Sequence, residues 1–382
     1  MPGGLNSLAF LQAFMPETMQ TGEDKSLNIL ISPLNWGLGH ATRVIPLIRA
    51  LQKQGHSVTL GGNGASLLLL QKEFPGLSSL PIPFPHIHYG RGKRQVLLFI
   101  LHSFRLLRGI RQEHRALVKI LKNRHFDIII SDNRPGLYQK NYRTIIITHQ
   151  LQIQFPKGWK LLGRPVNAVN RYYLKKFSEV WVPDMPEEIN LAGRLSHPPV
   201  KELTVRYTGP LSRYQARQDE PIHADFILVM LGGPEPQRSI LEQILITELA
   251  RSGREAIIAA GKPEGKSPSL SQNIRYRPYA DTPEMEQLIL KAGLIIGRSG
   301  YTTVMELASL HRSAILIPTP GQPEQEYLGK WLQVKGYFLC LSQEEFNLEA
   351  ALGAWSQFDP AYPELSFNGF PLTEELFLKR MD

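Results

Sequence analysis

The sequence predicts an α/β protein built from two doubly wound domains that face each other across a cleft. Three observations carry this expectation. Strand-length apolar runs alternate with helix-length patterns along most of the chain. The alternation breaks once, over 207–225, and then restarts. The strand runs are nearly continuous in β-branched and apolar residues, as sheets covered on both faces require. At 382 residues the chain also exceeds what one typical core serves.

In chain order, residues 1–26 read as a polar lead-in. "LAFLQAF" within it is short and lacks a basic flank, so no signal peptide is expected. "LNILIS" (27–32) is the first strand, an amphipathic run near 40–54 the first helix, and "SVTLGG" the second strand. "FDIIISD" (126–132), "RTIIITH" (143–149) and "SEVWVPD" (178–184) follow as buried strands. "YTGPLSRYQARQDEPIHAD" (207–225), rich in turn residues and charge, reads as a linker. Beyond it, "FILVMLGG" (226–233), "REAIIAAG" (254–261), "NIRYRPY" (273–279), "AGLIIGRS" (292–299), "SAILIPTP" (313–320) and "GYFLCLS" (336–342) are strands separated by helices. The expected domains are therefore 27–206 and 226–365, with a C-terminal segment, 366–382, that could return to the first domain.

Composition narrows the classes. Hydrophobic content of 42% with 20% charged residues describes a soluble globular protein. The one cysteine, Cys340, excludes a disulfide framework and any cysteine-based zinc site, and suits a reducing, cytoplasmic compartment. No stretch approaches the ~18 consecutive apolar residues that span a bilayer. The net charge of +9 is uneven: residues 1–213 carry 28 Lys and Arg against 12 Asp and Glu, the remainder 15 against 22. The basic first half favours an anionic partner. Residues 93–125 concentrate it, with nine basic residues, Glu113 the single acid, and apolar residues (Leu97, Leu101, Phe104, Leu117, Ile120, Leu121) at helical spacing. Such a helix either packs with a solvated basic face or lies on an anionic bilayer.

Three motifs carry the chemistry. "NWGLGH" follows the first strand, where open α/β sheets bind ligands. Gly37 and Gly39 permit close backbone approach, and His40 falls at a helix N-terminus, whose positive dipole end favours the neutral imidazole of a general base. The alternative is a tight turn with an uninvolved histidine. "GLIIGRSGYTTVMELASL" (293–310) places Arg298, Ser299, Gly300 and Thr302 at a second strand-to-helix turn, a suitable anion cradle. Glu306 there reads either as the acid of a capping box, "TVME", or as a carboxylate for sugar hydroxyls. "IPTPGQPEQEYLGKWLQVKGYF" (317–338) carries Gln322, Glu324 and Gln325, amides and a carboxylate suited to a polyol, or else an ordinary solvated loop. "LGGPEPQ" (231–237) adds Gly232 and Gly233 at a strand end. No GxGxxG, P-loop, DxD or HExxH pattern occurs.

Together these motifs resemble a GT-B glycosyltransferase, that is, two Rossmann-like domains across a cleft. The likeness is to the MurG-type enzymes of family 28, which move N-acetylglucosamine from UDP onto a lipid-linked acceptor. It is most specific over about 60 residues, from "RPYADTPEM" through "GRSGYTTVMEL" to "QVKGYF". The resemblance implies that Glu306 binds the ribose hydroxyls, that Ser299, Gly300 and Thr302 meet the diphosphate, and that Tyr279 and Ala280 lie near the base. It implies that Gln325, with Glu324 beside it, binds the donor sugar, and that His40 and its glycines face the reacting centre. Two departures bear on the donor sugar. Glu324–Gln325 stands where the family has two glutamines, and Pro234 and Glu235 follow the glycines where the family is serine-rich.

The implied activity is inverting, metal-independent transfer of a hexose from a UDP-sugar to an acceptor hydroxyl. UDP-sugar serves as co-substrate and no further cofactor is expected. Helix N-terminal amides and Arg298 would stabilise the leaving UDP. On the acceptor side, "SDNRPGLYQ" and "THQLQIQFP" offer Asp132, Asn133 and His149, the first two being equally readable as helix caps. The expected setting is cytoplasmic, peripheral on the inner face of the membrane. A UDP-sugar 2-epimerase on the same fold and a non-catalytic nucleotide-sugar-binding protein are the alternatives. Nucleic-acid binding finds no motif to support it.

Overall fold

The computed structural model describes residues 26–84, 95–155, 160–186, 188–214, 224–233, 235–262 and 267–361. The expected lead-in as far as residue 25, linker residues 215–223, Pro234, Lys93, Arg94 and the C-terminal segment lie outside the described residues.

Two parallel sheets organise the chain. The first contains β1 (Asn28–Pro33), β2 (Ser57–Gly62), β3 (Ser79–Pro81), β4 (Ile128–Asp132), β5 (Arg143–Ile147), β6 (Glu179–Val182) and β7 (Val205–Tyr207), in the order β3-β2-β1-β4-β5-β6-β7. The second contains β8 (Ala224–Met230), β9 (Ala256–Ala259), β10 (Ile274–Arg277), β11 (Ala292–Gly297), β12 (Ile315–Leu316) and β13 (Leu339–Cys340), in the order β10-β9-β8-β11-β12-β13. Strand order reverses between β1 and β4 and again between β8 and β11. Loops leaving adjacent strands diverge there, and a crevice opens past the carboxyl ends. Register decides what meets at each crevice. Pro33 stands opposite Asp132, and Met230 opposite Gly297. "NWGLGH" is thereby brought beside "SDN", and "LGG" beside "GRSG".

The strands read as continuous apolar runs because both faces are covered. Ile29 and Ile31 of β1 pack with Val44, Ile48 and Leu51 of α1 (Gly39–Lys53), whereas Leu30 packs on the other face with Leu117. Each such side chain, fully buried, contributes about 1.5–3 kcal/mol. The first domain adds α2 (Gly64–Glu73), α3 (Gln95–Leu121) and α4 (Lys160–Leu174). The second carries α5 (Gln237–Ser252), α6 (Thr282–Lys291), α7 (Tyr301–Ser309), α8 (Pro323–Val334) and α9 (Leu348–Ser356).

Two segments differ from their sequence reading. Tyr207 closes β7 and Ala224 opens β8, so strands take in both ends of the expected linker. Leu211 and Tyr214 within it are buried, so its described part is packed and not a solvated tether. In α3, Leu117 is fully buried with Ile120 and Leu121 packed beside it, so the apolar stripe of its C-terminal half belongs to the core. Glu113 is buried too, paired with the buried Arg134. α3 and the turn after it expose the cations Arg105, Arg108, Arg111, Arg115, Lys119, Lys122 and Arg124, together with Gln112, Asn123 and His125. No described helix is long and apolar enough to cross a membrane.

Candidate active site

The carboxyl ends of the two sheets face each other across a cavity of about 660 Å³ lined by residues of both domains. The domains touch at its edge. Thr302 Oγ1 donates to the Gly39 carbonyl at 3.2 Å, and the Tyr301 hydroxyl to the Pro183 carbonyl at 2.7 Å. The N-terminus of α7 thus abuts the N-terminus of α1. A Cβ on Gly39 would stand 3.0 Å from Thr302 Oγ1, so glycine there permits the approach. Gly37 bends the preceding loop at φ +75°, a conformation that favours glycine.

His40 is the second residue of α1 and lines the cavity. Its Nδ1 lies 2.9 Å from Asp132 Oδ1. Nδ1 stands at the same distance from Arg43 Nη2; in the tautomer whose Nδ1–H donates to the Asp132 carboxylate, Nε2 keeps its lone pair. Burial would raise the Asp132 carboxyl, but Arg43 and His40 outweigh it and hold it below the usual carboxylate range. Asp132 is fully buried and does not line the cavity, so it faces His40 and Arg43 and not an acceptor. The capping alternative also fails, because no helix follows β4 at this point. Asn133, at φ +53°, does line the cavity.

His149 bridges the domains. Its Nε2 meets Glu324 Oε1 at 2.9 Å, and Gln150 Nε2 donates to the other oxygen of the same carboxylate. The ring stacks on Tyr301 at 4.1 Å and 12°. Burial pushes the His149 imidazole down, which keeps it neutral. Glu324 at the start of α8 is therefore held by the first domain, which accounts for a carboxylate where glutamine was expected. Its neighbour Gln325 accepts from the Thr319 amide at 2.9 Å through Oε1, leaving Nε2 at the cavity. Gln322 Oε1 is buried with no hydrogen-bond partner among the described residues.

On the donor side, Gly232, Gly233, Tyr279, Ala280, Gly300 and Thr302 all line the cavity. Helix α7 begins at Tyr301 with Gly300 as its N-cap, so Thr303 is not a cap and Glu306 is no capping-box acid. Glu306 instead accepts from Arg213 Nε at 2.8 Å. Burial raises its carboxyl, and Arg213 offsets this only in part. The two side chains expected at the anion have protein partners. The Ser299 hydroxyl is fully buried and donates to the Gln325 carbonyl at 2.9 Å. The Arg298 guanidinium donates through Nη1 and Nη2 to the carbonyls of Ile317, Pro318 and Gln237, where it braces three loops; the residue lines the cavity, its Nε is buried without a partner among the described residues, and burial pushes it down to about 10.

Sequence reasoning missed Arg43, Arg213 and Tyr301. Arg43 had a signal: it sits three residues after His40 on one helix, hence on the same face. Arg213 had none, lying in a segment read as a linker. The apolar walls of the first-domain side, Trp36, Leu69, Leu106, Ile153 and Phe155, come from four separate segments.

Two doubly wound domains with a histidine–aspartate pair facing a helix N-terminus across one cleft define a GT-B glycosyltransferase. The signature of the glycosyltransferase family 28 C-terminal domain matches residues 228–361, so the second domain is of that family, and the chain as a whole resembles its MurG-type members. An uncharacterized glycosyltransferase of Methanosarcina acetivorans is 24% identical over 83% of this chain and 86% of its own length. The UDP-N-acetylglucosamine--N-acetylmuramyl-(pentapeptide) pyrophosphoryl-undecaprenol N-acetylglucosamine transferase of Haemophilus ducreyi is 25% identical over 82% of this chain and 85% of its own. The crystal structure of Acinetobacter baumannii MurG shares the fold with a TM-score of 0.53 at 14% identity, covering 88% of this chain and 91% of that one.

Proposed function

We propose that this glycosyltransferase moves a hexosyl group, N-acetylglucosamine as in the Haemophilus relative, from a UDP-sugar to an acceptor hydroxyl, with inversion and without a metal ion. The observation that carries the reading is His40, held by Asp132, on the cavity that α7 and Glu306 close from the other domain. His40 Nε2 takes the proton from the acceptor hydroxyl. The oxygen then bonds to the anomeric carbon from the face opposite the nucleotide, and the carbon–oxygen bond to the diphosphate breaks. The unpaired N–H groups of the first turn of α7 would meet the negative charge on the departing UDP. Gln325 and Gln322 suit the sugar hydroxyls. A thermal-shift and turnover screen across nucleotide sugars, with and without lipid acceptors, tests this. UDP-sugars should stabilise the protein without added metal and release UDP only with an acceptor. Isomerisation of a UDP-sugar alone would mark an epimerase instead.

Glu306→Ala should weaken UDP binding by at least ~1.5 kcal/mol, the scale for hydrogen bonds to a charged group. Calorimetry giving unchanged affinity would detach Glu306 from the ribose.

The exposed cations of α3 support docking on anionic lipid beside the first-domain wall of the cavity, to which α3 contributes Leu106. Each basic residue near such a surface adds about 1 kcal/mol, and salt screens the attraction. The protein should sediment with anionic vesicles at low salt, and not at high salt or with neutral vesicles. Equal, negligible pelleting in all conditions would indicate a soluble acceptor.

A further inference from the structure

Arg43 lies one helical turn beyond His40, and its side chain is 1% exposed. Nε donates to Asp132 Oδ2 at 2.7 Å, and Nη2 donates to Oδ1. Nη2 also stands 2.9 Å from His40 Nδ1, and Nη1 3.5 Å from His149 Nδ1. One guanidinium therefore touches the carboxylate that orients His40, His40 itself, and the histidine that clasps the second domain. We infer that Arg43 is a positioning residue of the transfer reaction: its fork fixes Asp132 so that one oxygen faces Nδ1, and its fixed charge cancels the carboxylate's pull toward an imidazolium. The second half of this inference rests on His40 as the base.

The reasoning is electrostatic. A lone buried carboxylate beside an imidazole favours the protonated ring, which cannot accept a proton from the acceptor. A fork-bonded guanidinium turns the carboxylate into half of a neutral pair. The ring then meets a dipole and not a full negative charge, yet Asp132 still receives the Nδ1–H. The charged or titratable groups facing His40 are Asp132 from the end of β4, Arg43 on its own helix, His149 after β5 and Glu324 at the start of α8. His149 is neutral and already bonded to Glu324, so Arg43 is the fixed cation set against Asp132.

The test uses the full chain with 13C-labelled histidine. The His40 ring signal is assigned by its loss in His40→Gln and titrated by NMR, and release of UDP from UDP-N-acetylglucosamine, with an acceptor found active in the screen above, is followed over the same pH range. In Arg43→Gln the titration midpoint should move up by about 1 unit or more, the usual effect of uncovering a neighbouring opposite charge. UDP release should fall about 10-fold or more at neutral pH and recover as the pH is raised, a shift of one unit being one factor of ten in the deprotonated fraction. Arg43→Lys, which keeps the charge but not the fork, should hold the midpoint within about 0.5 unit of wild type. An unmoved midpoint in Arg43→Gln overturns the inference. So does a midpoint raised by about 1 unit in Arg43→Lys, a result that stands even if the glutamine variant does not fold. A midpoint that moves while the pH profile of UDP release does not upholds the charge role of Arg43 and instead overturns His40 as the base.

Discussion

Replacing His40 with alanine should lower turnover about 100-fold or more while leaving UDP affinity close to wild type, since loss of a general base typically costs 10²–10⁴. The split between the two readouts follows from where the side chain sits. His40 lies on the first domain with its Nδ1 engaged by Asp132, so what it offers a substrate is Nε2. The nucleotide is expected against the second domain, at Glu306, Tyr279 and the start of α7, none of which His40 holds in place. The other candidates for the base are weaker. Asp132 is fully buried with its oxygens taken by Arg43 and His40. His149 is 3% exposed, donates to Glu324 through Nε2 and is stacked on Tyr301. Near-normal UDP release by His40→Ala, measured with acceptor present, would therefore overturn the proposed mechanism and not merely relocate the base. His40→Gln is the stricter control, because it keeps a polar side chain at the helix N-terminus without the imidazole.

Much of the fold was legible because each strand of the two sheet interiors is a buried apolar run bounded by turns, as in "FDIIISD" for β4. The strands that were missed are β3 and β7, three residues each, both at the edges of the first sheet and neither fully buried. An edge strand faces a neighbour on one side only, so its composition need not be apolar throughout. His40, Glu306 and Gln325, singled out in segments where a strand gives way to a helix, all line the cavity. Partners that depend on tertiary placement were not. Ser299 and Thr302 look alike in "RSGYTT", yet one hydroxyl is spent on the Gln325 carbonyl and the other reaches Gly39. "TVME" satisfies the capping-box pattern, but the helix starts two residues before its threonine, and Arg213, 93 residues away, claims the carboxylate. The Glu324 departure from the family was visible in the sequence. Its cause, a clasp with His149 and Gln150 across 174–175 residues, was not.

Asp132→Asn should destabilise the first domain by about 3 kcal/mol and slow turnover together. Asp132 and Arg43 are 0% and 1% exposed, and breaking a buried pair by removing one partner typically costs about 3–5 kcal/mol because the remaining charge is left uncompensated. Asparagine is isosteric but offers one acceptor oxygen where Arg43 and His40 together require two. Its amide nitrogen would face either the guanidinium or the Nδ1–H, donor against donor. The sign of the pH dependence follows from the carboxyl being held below its usual range by Arg43 and His40. A depressed acid stabilises the fold fully above its unfolded value, ~3.9, and loses that contribution as pH falls through the lower folded value. The gap between wild type and Asp132→Asn should therefore be widest near neutrality and shrink below about pH 4, where the carboxyl of the unfolded chain takes up a proton that the folded protein still refuses. Urea unfolding of both proteins at pH 7 and at pH 3.5, followed by a probe in the first domain, measures this directly. Equal midpoints at pH 7, or a gap that does not narrow in acid, would mean that the Asp132–Arg43 pair does not stabilise the fold through its charge.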